Sequence, residues 1–142
     1  MANARLINGK EFSARLREKI KCRTAALEKK HGLIPGLAAV LVGRDPASQV
    51  YVRNKEKQTV EVGMASFGRQ LPVETSEKGL LTVVADLNAN PAIHGILVQL
   101  PLPDHIDEKP IIEMIDVAKD VHGFHPINVG ALSSGELSLI HI

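Results

Sequence analysis

Residues Leu37-Ala38-Ala39-Val40-Leu41-Val42 form an unbroken apolar run held between Pro35-Gly36 and Gly43. The run is short, partly β-branched and has no polar alternate positions, so it reads as a strand covered on both faces. Strands of that kind belong to parallel sheets. Parallel neighbours need crossover connections, and the sequence supplies them in order. Asp45-Pro46 opens a helix, with Asp45 as N-cap and Pro46 at the first helical position, and Gly63 stops it after Val62. Met64 to Leu71 reads as a second strand. Thr75 or Ser76 then caps a helix with Leu80, Leu81, Val84 and Leu87 on its apolar face, and Asn90-Pro91 ends it. His94 to Leu100 reads as a third buried strand, which Pro101-Leu102-Pro103 keeps from pairing further. The expected fold is α/β, with three layers (α/β/α) around a mainly parallel sheet.

The flanks are simpler. Leu6-Ile7-Asn8-Gly9 is a short apolar piece followed by a turn. From Lys10 to Lys30, Phe12, Leu16, Ile20, Thr24 and Leu27 recur every three or four positions, the spacing of one helix face, and His31-Gly32 fits its stop. Asp107 to Val117 reads as a short helix. After Lys119 the composition turns to Gly, Pro, Asn and Ser and reads as loop. With no Trp and 3% aromatics the core must be aliphatic. Lys and Arg number 17 against 16 Asp and Glu, which gives no electrostatic reason to expect nucleic acid or a membrane surface. The one cysteine, Cys22, excludes an internal disulfide and reads as a bystander thiol. No apolar run approaches the roughly 20 residues that span a bilayer, and Met1 to Lys10 lacks a signal peptide's apolar core. The expected compartment is the cytoplasm.

Ligands of open α/β sheets sit at the carboxyl ends of the strands, here Gly43-Arg44-Asp45 and Gln99-Leu100-Pro101. Ser48, Tyr51 and Lys55 are spaced three and four apart on the helix that starts there, so they share one face. A lysine in a partly dry crevice loses its preference for charge and becomes useful for proton transfer. Spacing alone leaves a solvated helix face as the more ordinary reading. Gln99, polar at the end of an apolar strand, is either a hydrogen-bonded core group or a site residue. His122 and His125 invite a metal reading, but no Cys or acidic partner completes a typical ligand set, and no metal is expected. Neither G-x-G-x-x-G nor G-x-x-x-x-G-K-[ST] is present, so no dinucleotide site is expected within this chain.

Three ordered stretches resemble one family. They run Val42-Gly43-Arg44-Asp45-Pro46-Ala47-Ser48-Gln49-Val50-Tyr51-Val52-Arg53-Asn54-Lys55, then Gly95-Ile96-Leu97-Val98-Gln99-Leu100-Pro101-Leu102-Pro103, then Lys119-Asp120-Val121-His122-Gly123-Phe124-His125-Pro126-Ile127-Asn128-Val129-Gly130. The family is the bifunctional methylenetetrahydrofolate dehydrogenase/methenyltetrahydrofolate cyclohydrolase, and the resemblance covers roughly residues 3–135. It implies that Lys55 is the acid/base lysine, that Tyr51 stacks on or orients the folate, and that Gln99 tunes the lysine. It implies that Ser48 belongs to the same network, that Val98, Leu100 and Pro101 line the folate pocket, and that His122 meets the pterin. The implied substrate is a tetrahydrofolate derivative and the implied cofactor is NADP, bound by a further Rossmann domain. A homodimer is implied for the full-length parent.

Two departures matter. His122 stands where the family motif K-D-V-D-G has an aspartate, and an imidazole cannot accept from two pterin N–H donors as a carboxylate does. The sequence also stops before the threonine-proline hinge and the Rossmann domain, and Leu137 to Ile142 does not resemble the family. The chain is therefore expected to be a fragment, with a folate-binding catalytic domain over 1–136 and an atypical tail over 137–142. Three functions follow as expectations. The first is an enzyme of one-carbon folate metabolism. The second is an inactive folate-binding fragment or regulatory module. The third is an unrelated lysine enzyme forming Schiff bases.

Overall fold

The structure, a computed structural model, describes residues 8–136. The element order is α1 (Gly9–His31), β1 (Gly36–Val42), α2 (Pro46–Glu61), β2 (Ala65–Leu71), α3 (Glu77–Ala89), β3 (Gly95–Val98), α4 (Glu108–Met114) and α5 (Pro126–Ser134). The three strands form a parallel sheet in the order β2-β1-β3. β1, the apolar run, is central, which is why it carries no polar alternate positions.

Residue parity sorts the sheet's side chains. Ala38, Val40, Val42, Ile96 and Val98 point to one face, where they pack with Leu80, Val84 and Leu87 of α3 and Ile111 of α4. Ala39, Leu41 and Leu97 point to the other face and pack with Val52 of α2. Helices thus cover both faces, as the α/β reading expected. The caps are also those the sequence signalled. Asp45 accepts from Ser48 N at 2.7 Å, and Ser76 accepts from Gly79 N at 3.1 Å.

Four expectations need correction. Asn8-Gly9 is a helix start rather than a turn, with the Asn8 side chain capping α1 by accepting from Glu11 N at 3.3 Å. The α1 face is real as spacing but is hardly buried: Thr24 is its one buried residue and Phe12 is 64% exposed. The third strand and the fourth helix are shorter than their apolar patterns, at Gly95–Val98 and Glu108–Met114. The stretch after Lys119 is not all loop. Pro126–Ser134 is helical, with Pro126 in its first turn, His125 as N-cap and Gly135 closing it in the left-handed region. The reading as loop weighed small and polar residues and overlooked that start-and-stop pair. The atypical tail over 137–142 lies outside the described residues.

Candidate active site

The site is built where the chain changes direction. β1 leaves the sheet toward α2 on one face, and β3 leaves it toward α4 on the other. Such a divergence between adjacent strands opens a crevice at their carboxyl ends. Gln99 continues β3, its N–H donating to Val40 O at 2.8 Å. Its odd number puts it on the same face as Leu97, beneath α2. Lys55, midway along α2, reaches down to it, and Lys55 Nζ donates to Gln99 Oε1 at 3.0 Å. Gln99 Nε2 in turn donates to Leu100 O at 2.7 Å, which fixes the amide so that its oxygen faces the lysine.

Burial holds the Lys55 amine below the ordinary lysine value. The charged form loses hydration there and finds no carboxylate in return, since the ion pairs among the described residues are all elsewhere. His122 is also held below its ordinary value, first by burial and then by the positive charge of Lys55, while the Asp120 carboxylate pulls the other way. The Lys55 charge therefore acts on the imidazole through space. The His122 ring lies tilted against Phe124, with centroids 5.0 Å apart.

The other expected site residues fall into three groups. Tyr51 lies one turn before Lys55 on the same face and is 62% exposed. Among the described residues no hydrogen bond joins it to the lysine, whose partner is Gln99. Ser48 is buried at the start of α2, where its N–H and hydroxyl serve the Asp45 carboxylate rather than Lys55. Val98 is buried within the α3–α4 cluster, Leu100 packs at its margin, and Pro101 is exposed after a cis Leu100–Pro101 bond. Lys55 and Gln99 are brought together, with Tyr51 one turn away on the same helix face and His122 within reach of the lysine's charge.

Sequence reasoning gave no role to Asp120 and Asn128, which are buried polar residues bonded to each other at 3.0 Å. Lys119, next in line, spends its ammonium on the carbonyls of Asn88 and Asn90 at the end of α3. His125 Nδ1 accepts from Ile127 N at 3.2 Å, which employs it as a helix cap. A dinucleotide does not fit the strand-to-helix turn after β1. The Asp45 carboxylate already fills the amino end of α2 and would repel a phosphate there.

Fold and site together define an α/β domain with a partly dry lysine at the carboxyl ends of a parallel sheet. Residues 7–122 match the family described as tetrahydrofolate dehydrogenase/cyclohydrolase, catalytic domain. The chain is similar to the bifunctional protein FolD of Paramagnetospirillum magneticum, with 57% identity over 99% of this chain and 48% of that protein. It is similar in structure to the FolD methylenetetrahydrofolate dehydrogenase/cyclohydrolase of Campylobacter jejuni, with TM-score 0.88 and 46% identity over 92% of this chain and 46% of that one. The Trypanosoma brucei enzyme, whose structure was solved with NADP cofactor and inhibitor, matches with TM-score 0.91 and 34% identity over 97% of this chain and 47% of that one. The chain belongs to the tetrahydrofolate dehydrogenase/cyclohydrolase family, as its catalytic domain. It spans about half the length of the curated relatives it matches.

Proposed function

We propose that this domain binds a tetrahydrofolate derivative and handles the protons of methenyltetrahydrofolate hydrolysis, with Lys55 as the acid/base group. The observation that carries the reading is the Lys55–Gln99 hydrogen bond at 3.0 Å, on an amine that burial keeps below its ordinary pKa. The 5,10-methenyl carbon is cationic and takes up water. One group must accept a proton from that water and return it to the nitrogen that leaves as the ring opens to 10-formyltetrahydrofolate. A lysine neutral for part of the time can do both, and while neutral it does not repel the cationic substrate. Gln99 holds the amine through one N–H and leaves its lone pair available. Tyr51, exposed one turn earlier, offers a flat apolar surface to the ring system. Leu100 and Pro101 border the proposed pocket, while Ser48 and Val98, both buried, act on it from behind, the first by setting the start of α2 and the second by supporting the end of β3.

In the full-length protein we assign the oxidation of 5,10-methylenetetrahydrofolate to the same folate site together with NADP, by analogy with the Trypanosoma brucei enzyme. The turn after β1 offers that cofactor no phosphate cradle, because the Asp45 carboxylate occupies the amino end of α2. The folate-binding domain is assigned to residues 1–136, the compartment to the cytoplasm, and the full-length assembly to a homodimer that binds no nucleic acid. Among the described residues no helix is long and apolar enough to cross a membrane.

A second reading, folate binding without turnover, is favoured by one observation: position 122 carries an imidazole, partly buried and influenced by the Lys55 charge, which cannot offer a carboxylate to a pterin. Hydrolysis of methenyltetrahydrofolate that disappears in Lys55→Ala supports the first reading. Folate binding with no turnover in either form supports the second. A chain that binds no folate overturns both.

A further inference from the structure

The chain from the end of β3 into α5 carries a buried polar cluster that the proton chemistry does not use. Asp120 is 3% exposed and Asn128 7%. Asp120 Oδ1 accepts from Gly123 N at 3.1 Å, and Oδ2 accepts from His125 N at 2.9 Å and from Asn128 Nδ2 at 3.0 Å. Asn128 Nδ2 also donates to Val117 O at 3.0 Å. A buried carboxylate is costly unless such donors satisfy it. Here two of the three come from the backbone of its own turn, so the carboxylate is a peg around which residues 120–125 wrap. Gly123 closes the wrap at φ +68, a region that side chains rarely adopt.

The peg is anchored to the sheet. Ile96 N donates to Lys119 O at 2.7 Å, and Asp120 pairs alongside Ile96 in parallel. Gly95 permits this approach, since a Cβ there would lie 2.5 Å from the Val121 side chain. The same strand carries Gln99 three residues further on. Strand β3 thus anchors both Gln99, which holds Lys55, and the turn that bears His122 and Phe124.

We propose that Asp120 and Asn128 are a positioning pair: they fix the turn, hung from the same strand that leads to Gln99, on which His122 packs against Phe124, and so govern how tightly the folate is held without touching it. The inference rests on the folate reading above. A merely structural role is the competing account, because removing one partner of a buried charge network destabilises a fold wherever the network sits. The charged groups whose fields reach His122 are Lys55 from α2 and Asp120 from its own turn, and they pull in opposite directions.

The test uses the 142-residue chain with Asp120→Asn and, as the milder change, Asn128→Ala. Three quantities are followed: the titration of the His122 ring by NMR, the ring-to-ring contact of His122 with Phe124, and equilibrium binding of 5,10-methenyltetrahydrofolate. Asp120→Asn is expected to lower the His122 midpoint, because the attracting carboxylate is gone. It should also weaken the ring contact and loosen folate binding roughly tenfold, the scale expected of a misplaced site group. Asn128→Ala keeps the charge, so it should loosen the ring contact and the folate with little movement of the midpoint. If Asp120→Asn does not fold, Asn128→Ala decides alone. Folded variants that keep the wild-type ring contact and folate affinity overturn the proposal and leave the pair a structural peg. A wild-type chain that binds no folate sinks the folate reading, and the ring contact then decides the positioning role by itself.

Discussion

The face of the sheet that meets α3 and α4 packs 13 buried residues into one cluster, whereas the face beneath α2 packs four. The difference is not one of area alone. On the α3–α4 face the buried positions of β1 and β3 are all aliphatic, Phe67 of β2 packs against them, and the helices answer with Leu80, Val84, Leu87 and Ile111. On the α2 face the row Ala39, Leu41 and Leu97 gives way at the strand ends to Gln99, and α2 answers with Val52 and then Lys55. One face builds stability. The other gives up burial so that an amine can be partly dried without being sealed in.

The largest expected effect tests the working face. Lys55→Ala should lower methenyltetrahydrofolate hydrolysis about a hundredfold or more, the usual worth of a general acid/base, while leaving the chain folded. Gln99→Leu should act in the same direction through the lysine. Its signature is a shifted pH dependence of whatever rate remains, because the amide no longer holds the amine. A Lys55→Ala chain as active as the parent would remove the functional half of the comparison.

Stability changes come next. Leu80→Ala opens a cavity in the larger cluster at a fully buried position and should cost about 3 kcal/mol in chemical denaturation. Val52→Ala removes less volume from a cluster already bordered by polar groups, and about 1 kcal/mol is expected. Equal losses at the two positions would mean that the two faces are equally consolidated.

A third test concerns the cost of the working face. The folded-state pKa of Lys55 lies below its unfolded value. Between the two values the unfolded chain holds the extra proton, so stability rises with pH through that window. Below the folded value both states are protonated, and the folded chain carries the whole desolvation cost. Above the unfolded value that cost is gone. Lys55→Met should therefore flatten the alkaline rise in melting temperature, and a slope identical in both chains would contradict it.

How much of this was legible in the sequence depends on the kind of signal. β1 was legible because burial on two faces leaves no polar position to write. The α2 cap was legible because Asp45-Pro46 states a start in two residues. Lys55 was only one lysine on a helix until the motifs around it were compared with a family, since spacing cannot say which helix face meets a strand end. Asp120 and Asn128 were illegible for a different reason. Their partners are backbone N–H groups of a turn, and those leave no residue-type pattern. α5 was misread because Ile127, Val129 and Leu132 are exposed in this domain, so the helix writes no buried stripe. α1 is the converse case: its stripe is written clearly, yet the described residues cover little of it.

His122 lets the comparison be sharpened at one residue. The imidazole is partly buried and feels Lys55, so its charged form is disfavoured from two sides. His122→Asp would place an acceptor with two oxygens where the ring now stands. Folate binding should tighten, roughly tenfold for a charge-assisted pair of hydrogen bonds gained. The new carboxylate should also raise the Lys55 pKa and move the rate profile toward alkali. Unchanged affinity and unchanged turnover would mean that position 122 does not meet the substrate.

The smallest effect is expected at the amino end of α2, where the working face begins. Asp45 is fully exposed, yet its carboxyl lies below the usual range because Ser48 donates to it from backbone and side chain. Its folded pKa is lower than its unfolded one, so the stabilisation it gives is present above the unfolded value and is lost as pH falls through the folded value. Asp45→Ala should lower the melting temperature slightly at neutral pH and not at all in strong acid, where the carboxylate is protonated in both states. The same change frees the first turn of α2, on which Ser48 sits and from which Tyr51 and Lys55 are carried. A drop in folate affinity that exceeds the drop in stability would therefore show that the cap serves the site as well as the helix.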